Sequence, residues 1–142
     1  VSSNGKEEEA ISRLARVGFD NVVGFLDGGY DKWAKSSRKI NKIKCISAEE
    51  FINEARSSRK NIYDVRDEDE FKIGHFPGAK NTPLKKIEKY IDEFRKNSPF
   101  YIYCKAGYRS VIASSIISKT DDLELINIKG GYDMIEKVSF SA

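Results

Sequence analysis

A short glycine-rich sequence occurs twice in this chain and limits the folds available to it more than any other feature. Gly28-Gly29-Tyr30-Asp31 recurs 102 positions later as Gly130-Gly131-Tyr132-Asp133. Around both copies the pattern has the same order: a loop, a helix, a short apolar strand, the paired glycines and a second helix. The helices before the strands are predicted at 7–16 and 109–118. The sequence therefore predicts one and a half copies of a single α/β unit.

This repeat sets the expected domain boundaries. A complete α/β domain is predicted over residues 44–142, preceded by the C-terminal part of a degenerate second copy at 1–33 and a linker at 34–43. The first copy would begin at the end of a core strand, so an earlier part of that copy is expected upstream of Val1. The alternative is that residues 1–43 are extra helices that cap a single domain.

Strands and helices alternate through the complete copy. Short apolar strands are predicted at 61–65, 100–103 and 123–128, and the first copy has a counterpart at 22–26. Helices are predicted at 47–57, with Ser47 as N-cap, and at 85–96 and 110–119. This alternation predicts a parallel sheet with helices on both faces, with ligands binding at the carboxyl ends of its strands.

The composition excludes several classes of function. The 25 basic and 22 acidic residues nearly balance, which argues against a dedicated nucleic-acid-binding protein. No apolar run approaches the length of about 20 residues that a membrane helix needs, and no signal-peptide core is present. One histidine and two distant cysteines, Cys45 and Cys104, predict no metal site and no cofactor. Two unpaired thiols are typical of a reducing cytoplasm.

The loop that follows the strand at 100–103 has the features of a reactive site. Cys104 comes directly after the strand, and Gly107 can take the positive φ that turns successive backbone N–H groups inward. The helix that follows adds its positive N-terminal end, and Lys105 and Arg109 add two cations. Such a loop stabilises a thiolate, which is the nucleophilic form of cysteine, or a bound oxyanion. The alternative is that Cys104 is only a buried apolar residue, the role expected for Cys45.

Several motifs together resemble the rhodanese domain family. They are Asp64-Val65-Arg66, Glu70-Phe71, Gly74-His75-Phe76-Pro77-Gly78-Ala79, Cys104-Lys105-Ala106-Gly107-Tyr108-Arg109-Ser110 and Gly130-Gly131-Tyr132. The resemblance covers nearly all of residues 44–137, with the motifs in the family's order. It implies a central five-stranded parallel sheet with helices on both faces, preceded here by part of a second rhodanese-like repeat.

The resemblance also implies an enzyme, a sulfurtransferase. Cys104 would take a sulfane sulfur from a small anionic donor, thiosulfate or a low-molecular-weight persulfide, and pass it as a persulfide to a thiol or cyanide-like acceptor. The substrate-binding residues would be those of the loop: Lys105, Ala106, Gly107, Tyr108, Arg109 and Ser110. The alternative is a non-catalytic rhodanese-fold module that binds a partner in a multidomain protein of sulfur metabolism. The related Cys-based phosphatases place one more residue between Cys and Arg than the four found here, which disfavours phosphatase chemistry.

Residues beside the loop are expected to be structural. Asp64, Arg66 and His75 match family motifs that hold neighbouring loops, and Tyr132 is expected to pack on the sheet. In the first copy, Ser2 stands opposite Cys104 and Glu7 opposite Arg109, so that copy is expected to be inactive in sulfur transfer.

The stretch 13–22 resembles proteins in which a metallo-β-lactamase-fold enzyme, similar to persulfide dioxygenases, precedes rhodanese domains. An upstream domain of that kind is therefore an expected partner within a longer protein, and neither nucleic acid nor a membrane is expected as a partner.

Overall fold

The computed structural model of the chain divides into two compact units, Val1–Lys42 and Ile43–Ala142. It describes residues 1–16, 18, 20–36, 38, 40, 42–57, 60–120 and 123–140. Parts of the stretch 13–22 and of the linker expected at 34–43 lie outside these described residues. In the part of the chain that is described, no helix is both long and apolar enough to cross a membrane.

The first unit contains two short helices, α1 (Glu7–Ala15) and α2 (Gly29–Ala34). Three glutamates in the first turn of α1 and Arg13 in its last turn match the direction of the helix dipole. The strand predicted at 22–26 is not formed, and this prediction was wrong. Val23 is 96% exposed and Phe25 is 61% exposed, because the described part of this unit offers no neighbouring strand with which the segment could pair.

The second unit is a parallel sheet with helices between its strands. Its strands are β1 (Lys44–Ile46), β2 (Asn61–Asp64), β3 (Lys80–Asn81), β4 (Phe100–Tyr103) and β5 (Leu125–Ile128). Its helices are α3 (Ala48–Ser57), α4 (Glu68–Ile73), a 3-10 helix (Leu84–Tyr90), α5 (Ile91–Lys96), α6 (Tyr108–Thr120) and α7 (Gly131–Phe140). The strand order is β1-β5-β4-β2-β3, and every neighbouring pair is parallel.

Alternation along the strands divides the core between the two faces of the sheet. On one face Tyr63, Phe100 and Ile102 pack against the 3-10 helix, α5 and α6. On the other face Tyr101 and Ile126 pack against α3 and α7. Burial on both faces is what the short apolar strands require, and the predicted doubly covered parallel sheet is confirmed.

Two helices differ from their predicted bounds, and one predicted cap is confirmed. The region predicted as one helix at 85–96 is a 3-10 helix followed by α5, and Ile87 and Phe94 lie in the same core, as the predicted single apolar face requires. Helix α6 begins at Tyr108 rather than at residue 110, so Tyr108 and Arg109, the last two residues of the predicted loop, also form its first turn. Ser47 accepts the Glu50 backbone N–H at 3.1 Å in a capping box with the Glu50 carboxylate.

Candidate functional site

Cys104 lies at the carboxyl edge of the sheet, directly after β4, at the start of the cysteine loop (residues 104–109). Its side chain is nearly enclosed, since the residue is only 1% exposed. The backbone N–H of Gly107 donates a hydrogen bond to the Cys104 Sγ at 3.2 Å. Gly107 has a φ of +104°, which a side chain would disfavour, so glycine permits the turn that aims this N–H at sulfur. The geometry is suited to holding negative charge on sulfur.

The N-terminus of α7 supports the loop from below. The Tyr132 N–H donates to the Cys104 carbonyl at 2.7 Å, and the Asp133 N–H donates to the Lys105 carbonyl at 3.1 Å. These are N–H groups of a helix's first turn, which have no acceptor within their own helix. The residues that follow the paired glycines thus hold the cysteine loop, and the two motifs contact each other in the fold.

Ser110 holds the loop from the α6 side. It is buried, and its hydroxyl donates to the Gly107 carbonyl at 3.0 Å. This bond restrains Gly107, the residue whose backbone N–H donates to the Cys104 Sγ. The residue was predicted to bind substrate, and the structure places it behind the loop.

The other predicted loop residues line the outer side. Lys105, Ala106 and Tyr108 are exposed, and Tyr108 reaches 86% exposure. Lys105 has no ion-pair partner among the described residues, so its ammonium group is available to an incoming anion.

Arg109 forms an ion pair that the sequence analysis did not predict. Its Nη1 lies 2.5 Å from the Glu70 Oε2, and its Nη2 lies 2.9 Å from the Glu70 Oε1, a two-pronged arrangement. The hydrogen bonds from Arg109 lower the pKa of Glu70 to about 2. Glu70 was noted in the sequence only as part of a family motif, and its place three residues after Asp67, the spacing of a capping box at the start of α4, gave no sign of a contact with Arg109.

Asp64 and Arg66 form a buried ion pair at the end of β2. Arg66 Nη2 lies 2.6 Å from Asp64 Oδ2, and the side chains are 5% and 0% exposed. The same Nη2 donates to the Gly74 carbonyl at 2.6 Å, and the guanidinium lies 4.3 Å from the centre of the Tyr132 ring. The pair thus connects the loop after α4 to the residue that binds the Cys104 carbonyl.

His75 is exposed and contacts the end of α4 rather than the cysteine. Its Nδ1 lies 2.9 Å from the Phe71 carbonyl oxygen, and its ring stacks on the Phe71 ring at 3.8 Å. This contact occupies one of the carbonyls that a helix C-terminus leaves without a partner. Within the described residues, no group of three or more His, Cys, Asp or Glu side chains could hold a metal ion.

Comparison with known proteins finds a family model and similar sequences for the part of the chain that contains this loop. A family model described as "Rhodanese-like domain" matches residues 47–137. The "Uncharacterized protein YqhL" of Bacillus subtilis strain 168 is 36% identical over 90 residues, which are 63% of this chain and 70% of that protein. The "Putative sulfur carrier protein YrkF" of the same bacterium is 35% identical over 97 residues, which are 68% of this chain and 52% of that protein.

Two further similarities concern activity and structure. The "Putative thiosulfate sulfurtransferase, mitochondrial" of Schizosaccharomyces pombe is 33% identical over 84 residues, 50% of this chain and 59% of that protein. The crystal structure of a rhodanese-like domain protein from Staphylococcus aureus is 30% identical, with a TM-score of 0.61, covering 66% of this chain and 91% of that one. The relatives thus include proteins named for sulfur transfer and for sulfur carriage.

Proposed function

The chain belongs to the rhodanese-like domain family, and we propose that it is a sulfurtransferase that carries sulfane sulfur as a persulfide on Cys104. The observation that carries the proposal is the Gly107 N–H at 3.2 Å from Sγ, in a loop held by the N-termini of two helices. These groups stabilise a negative charge at one point, where a thiolate and a terminal persulfide sulfur would both lie.

The reaction proceeds in two displacements. The Cys104 thiolate attacks the sulfane sulfur of thiosulfate, a new S–S bond forms, and sulfite leaves with the electron pair of the broken S–S bond. An acceptor thiolate or cyanide then attacks the terminal sulfur of the Cys104 persulfide. The second step returns the Cys104 thiolate and releases the acceptor persulfide or thiocyanate, so no net oxidation occurs. A low-molecular-weight persulfide replaces thiosulfate in the same scheme, with its thiolate as the leaving group.

The enclosed position of Cys104 favours sulfur over a larger transferred group. The cysteine residue is 1% exposed, and only four residues separate it from Arg109. A single projecting sulfur atom fits such a loop more easily than a phosphate group with its three outer oxygens.

Both thiols, Cys45 and Cys104, are free, which supports a reducing cytoplasm as the proposed location.

Mass spectrometry after incubation with thiosulfate or glutathione persulfide tests the proposal. Wild-type protein should gain about 32 Da, the mass of one sulfur, on the peptide that contains Cys104, and cyanide should remove it. The matched controls are Cys104→Ser, which should gain nothing, and Cys45→Ser, which should load like the wild type. Absence of a cyanide-labile sulfur with both donors would overturn the proposal and favour a non-catalytic binding module.

We also propose that residues 1–33 are an inactive second copy of the C-terminal half of the domain. Gly28 and Gly29 have φ values of +71° and +59°, and their counterparts Gly130 and Gly131 have +73° and +58°. A Cβ on Gly29 would face the Ser2 carbonyl, and a Cβ on Gly131 would face the Cys104 carbonyl. Both the backbone turn and its neighbour are thus repeated 102 positions apart, which supports common descent of the two segments.

A crystal structure tests this second proposal. Helix α1, the paired glycines and α2 should superpose on α6, Gly130-Gly131 and the start of α7, whereas the segment at 22–26, which forms no strand, need not follow β5. A different arrangement of α1 and α2 around Gly28 and Gly29 would contradict it.

A further inference from the structure

We propose that Glu70 is a positioning residue for the sulfur-transfer reaction. It holds the Arg109 guanidinium against α4, which leaves Lys105 as the loop cation that receives an anionic donor. The inference rests on the sulfur-transfer function proposed above. Glu70 lies outside the cysteine loop, yet it would determine which cation of the loop binds the donor.

The contact geometry fixes the plane of the guanidinium. Both carboxylate oxygens of Glu70 are engaged, one on each terminal nitrogen of Arg109, at 2.5 and 2.9 Å. Each side chain is 32% exposed, so the pair is partly shielded from solvent. A guanidinium uses this same two-pronged arrangement to bind an oxyanion, and here the carboxylate occupies it.

Glu70 is itself held in place by the structure of α4. The Asp67 N–H donates to Glu70 Oε2 at 3.4 Å as part of the capping box. Asp67 and Glu68 make ion pairs with Lys85 and Lys86 of the 3-10 helix at 2.8 and 2.6 Å. At the far end of α4, the Gly74 carbonyl accepts a hydrogen bond from Arg66. Glu70 is therefore presented to Arg109 by a helix that is tied at both ends.

The charge balance at the loop follows from this pair. The pKa of Arg109 is raised above its ordinary value, first by its hydrogen bonds to Glu70, and the charge of Cys104 adds to the effect. Arg109 follows Cys104 by five positions in the cysteine loop, and its charge is largely balanced by Glu70. Removal of the Glu70 charge would leave an unbalanced guanidinium beside the position where the donor binds.

Steady-state kinetics with thiosulfate as donor and cyanide as acceptor test the proposal through Glu70→Gln. The released guanidinium should bind the donor more tightly and lower its KM by about fivefold. The kcat should fall by a similar factor, because tighter binding of the ground state does not stabilise the transition state. A merely structural role for Glu70 would not lower KM.

The matched control is Asp69→Asn, which removes a carboxylate charge from the same helix. Asp69 is 94% exposed and pairs with Lys72 of the same helix at 3.7 Å, not with the cysteine loop, so KM and kcat should remain those of the wild type. Glu70→Asp keeps the charge and should give a KM between those of the wild type and Glu70→Gln. It also serves as the test if Glu70→Gln does not fold, as judged by circular dichroism.

The role of Lys105 supplies a second measurement. Lys105→Met should raise the KM for thiosulfate in the wild-type background and raise it less in the Glu70→Gln background, where Arg109 takes over. Equal effects in both backgrounds, or an unchanged or raised KM in Glu70→Gln, would overturn the proposal. If wild-type protein accepts no sulfur on Cys104, the proposed function fails instead, and mass spectrometry of the unmutated chain distinguishes that outcome.

Discussion

At Gly131 the first turn of α7 comes within contact distance of the backbone that carries Cys104. A Cβ built there would lie 2.2 Å from the Cys104 carbonyl oxygen and 2.5 Å from that of Lys105. Both neighbours are backbone atoms, which cannot rotate away as a side chain could. The residue also has a φ of +58°, where any other residue type is disfavoured. Close approach and backbone conformation thus both require glycine at this position.

We expect Gly131→Ala to displace the cysteine loop and to abolish persulfide loading. The loss of unfolding free energy should be about 3 kcal/mol or more, because strain adds to the steric clash. Gly78→Ala is the matched control, since Gly78 has a φ of +82° with no atom within 4 Å of the built Cβ. That change should cost about 1 kcal/mol and leave loading intact. Urea denaturation and mass spectrometry measure both effects, and equal losses in the two variants would contradict the steric argument.

Among the secondary-structure elements, helix α4 connects the charged residues around the cysteine loop. The helix begins after the Asp64–Arg66 ion pair and presents Glu70 to Arg109. At its C-terminal end, His75 contacts the Phe71 carbonyl, and Arg66 donates to the Gly74 carbonyl just beyond the helix. Its position therefore determines how Arg109 is oriented. The helix has six residues and no buried residue, so these polar contacts rather than core packing hold it.

The depressed pKa of Glu70 makes the contribution of this helix dependent on pH. The pKa is about 2 in the folded protein against an ordinary value of 4.5, so the stabilisation is complete above about pH 4.5 and is lost as pH falls through 2. Glu70→Gln should therefore cost about 1–2 kcal/mol at pH 6, with allowance for partial exposure, and less than half of that at pH 3. Urea unfolding at the two pH values measures the difference. An equal cost at both would show that the Glu70 charge is not the source of the stability.

The second unit contains the sheet, both halves of the core and the cysteine loop. All five strands of the sheet lie between Lys44 and Ile128, and both buried clusters are formed by residues of the same unit. A unit of about 100 residues is large enough to bury a core of its own. The family match at residues 47–137 falls within this unit as well.

Residues 43–142 should therefore fold and accept sulfur without residues 1–42. We expect the shortened chain to unfold at the same urea concentration as the full chain, within error, and to gain one sulfur on Cys104. Circular dichroism and mass spectrometry of both proteins are the measurements. A lower midpoint or loss of loading would show that the first unit contributes to the stability or activity of the second.

The local sequence was enough to predict most of the elements and to propose Cys104 as the nucleophile. Strands such as Phe100–Tyr103 and helices such as α3 follow from short-range patterns, and the cysteine loop is recognisable from a Cys, a Gly and an Arg at fixed spacing. The strand predicted at 22–26 failed for a physical reason, since an apolar pattern becomes a strand only where another strand accepts its hydrogen bonds. The division of 85–96 into a 3-10 helix and α5 was not visible in the pattern, because Ile87 and Phe94 are seven residues apart and would share one face of a continuous helix as well.

The groups that surround Cys104 follow from the long-range packing of the chain. Glu70 and Arg109 are 39 residues apart, and the order of the strands brings α4 beside the start of α6. The same order brings α7 beneath the cysteine loop, where its first N–H groups bind the loop carbonyls. Spacing along the chain can propose Cys104 as a nucleophile because its loop is local. It does not identify the partners of that loop, because they arrive through long-range pairing of strands, which no short sequence pattern encodes.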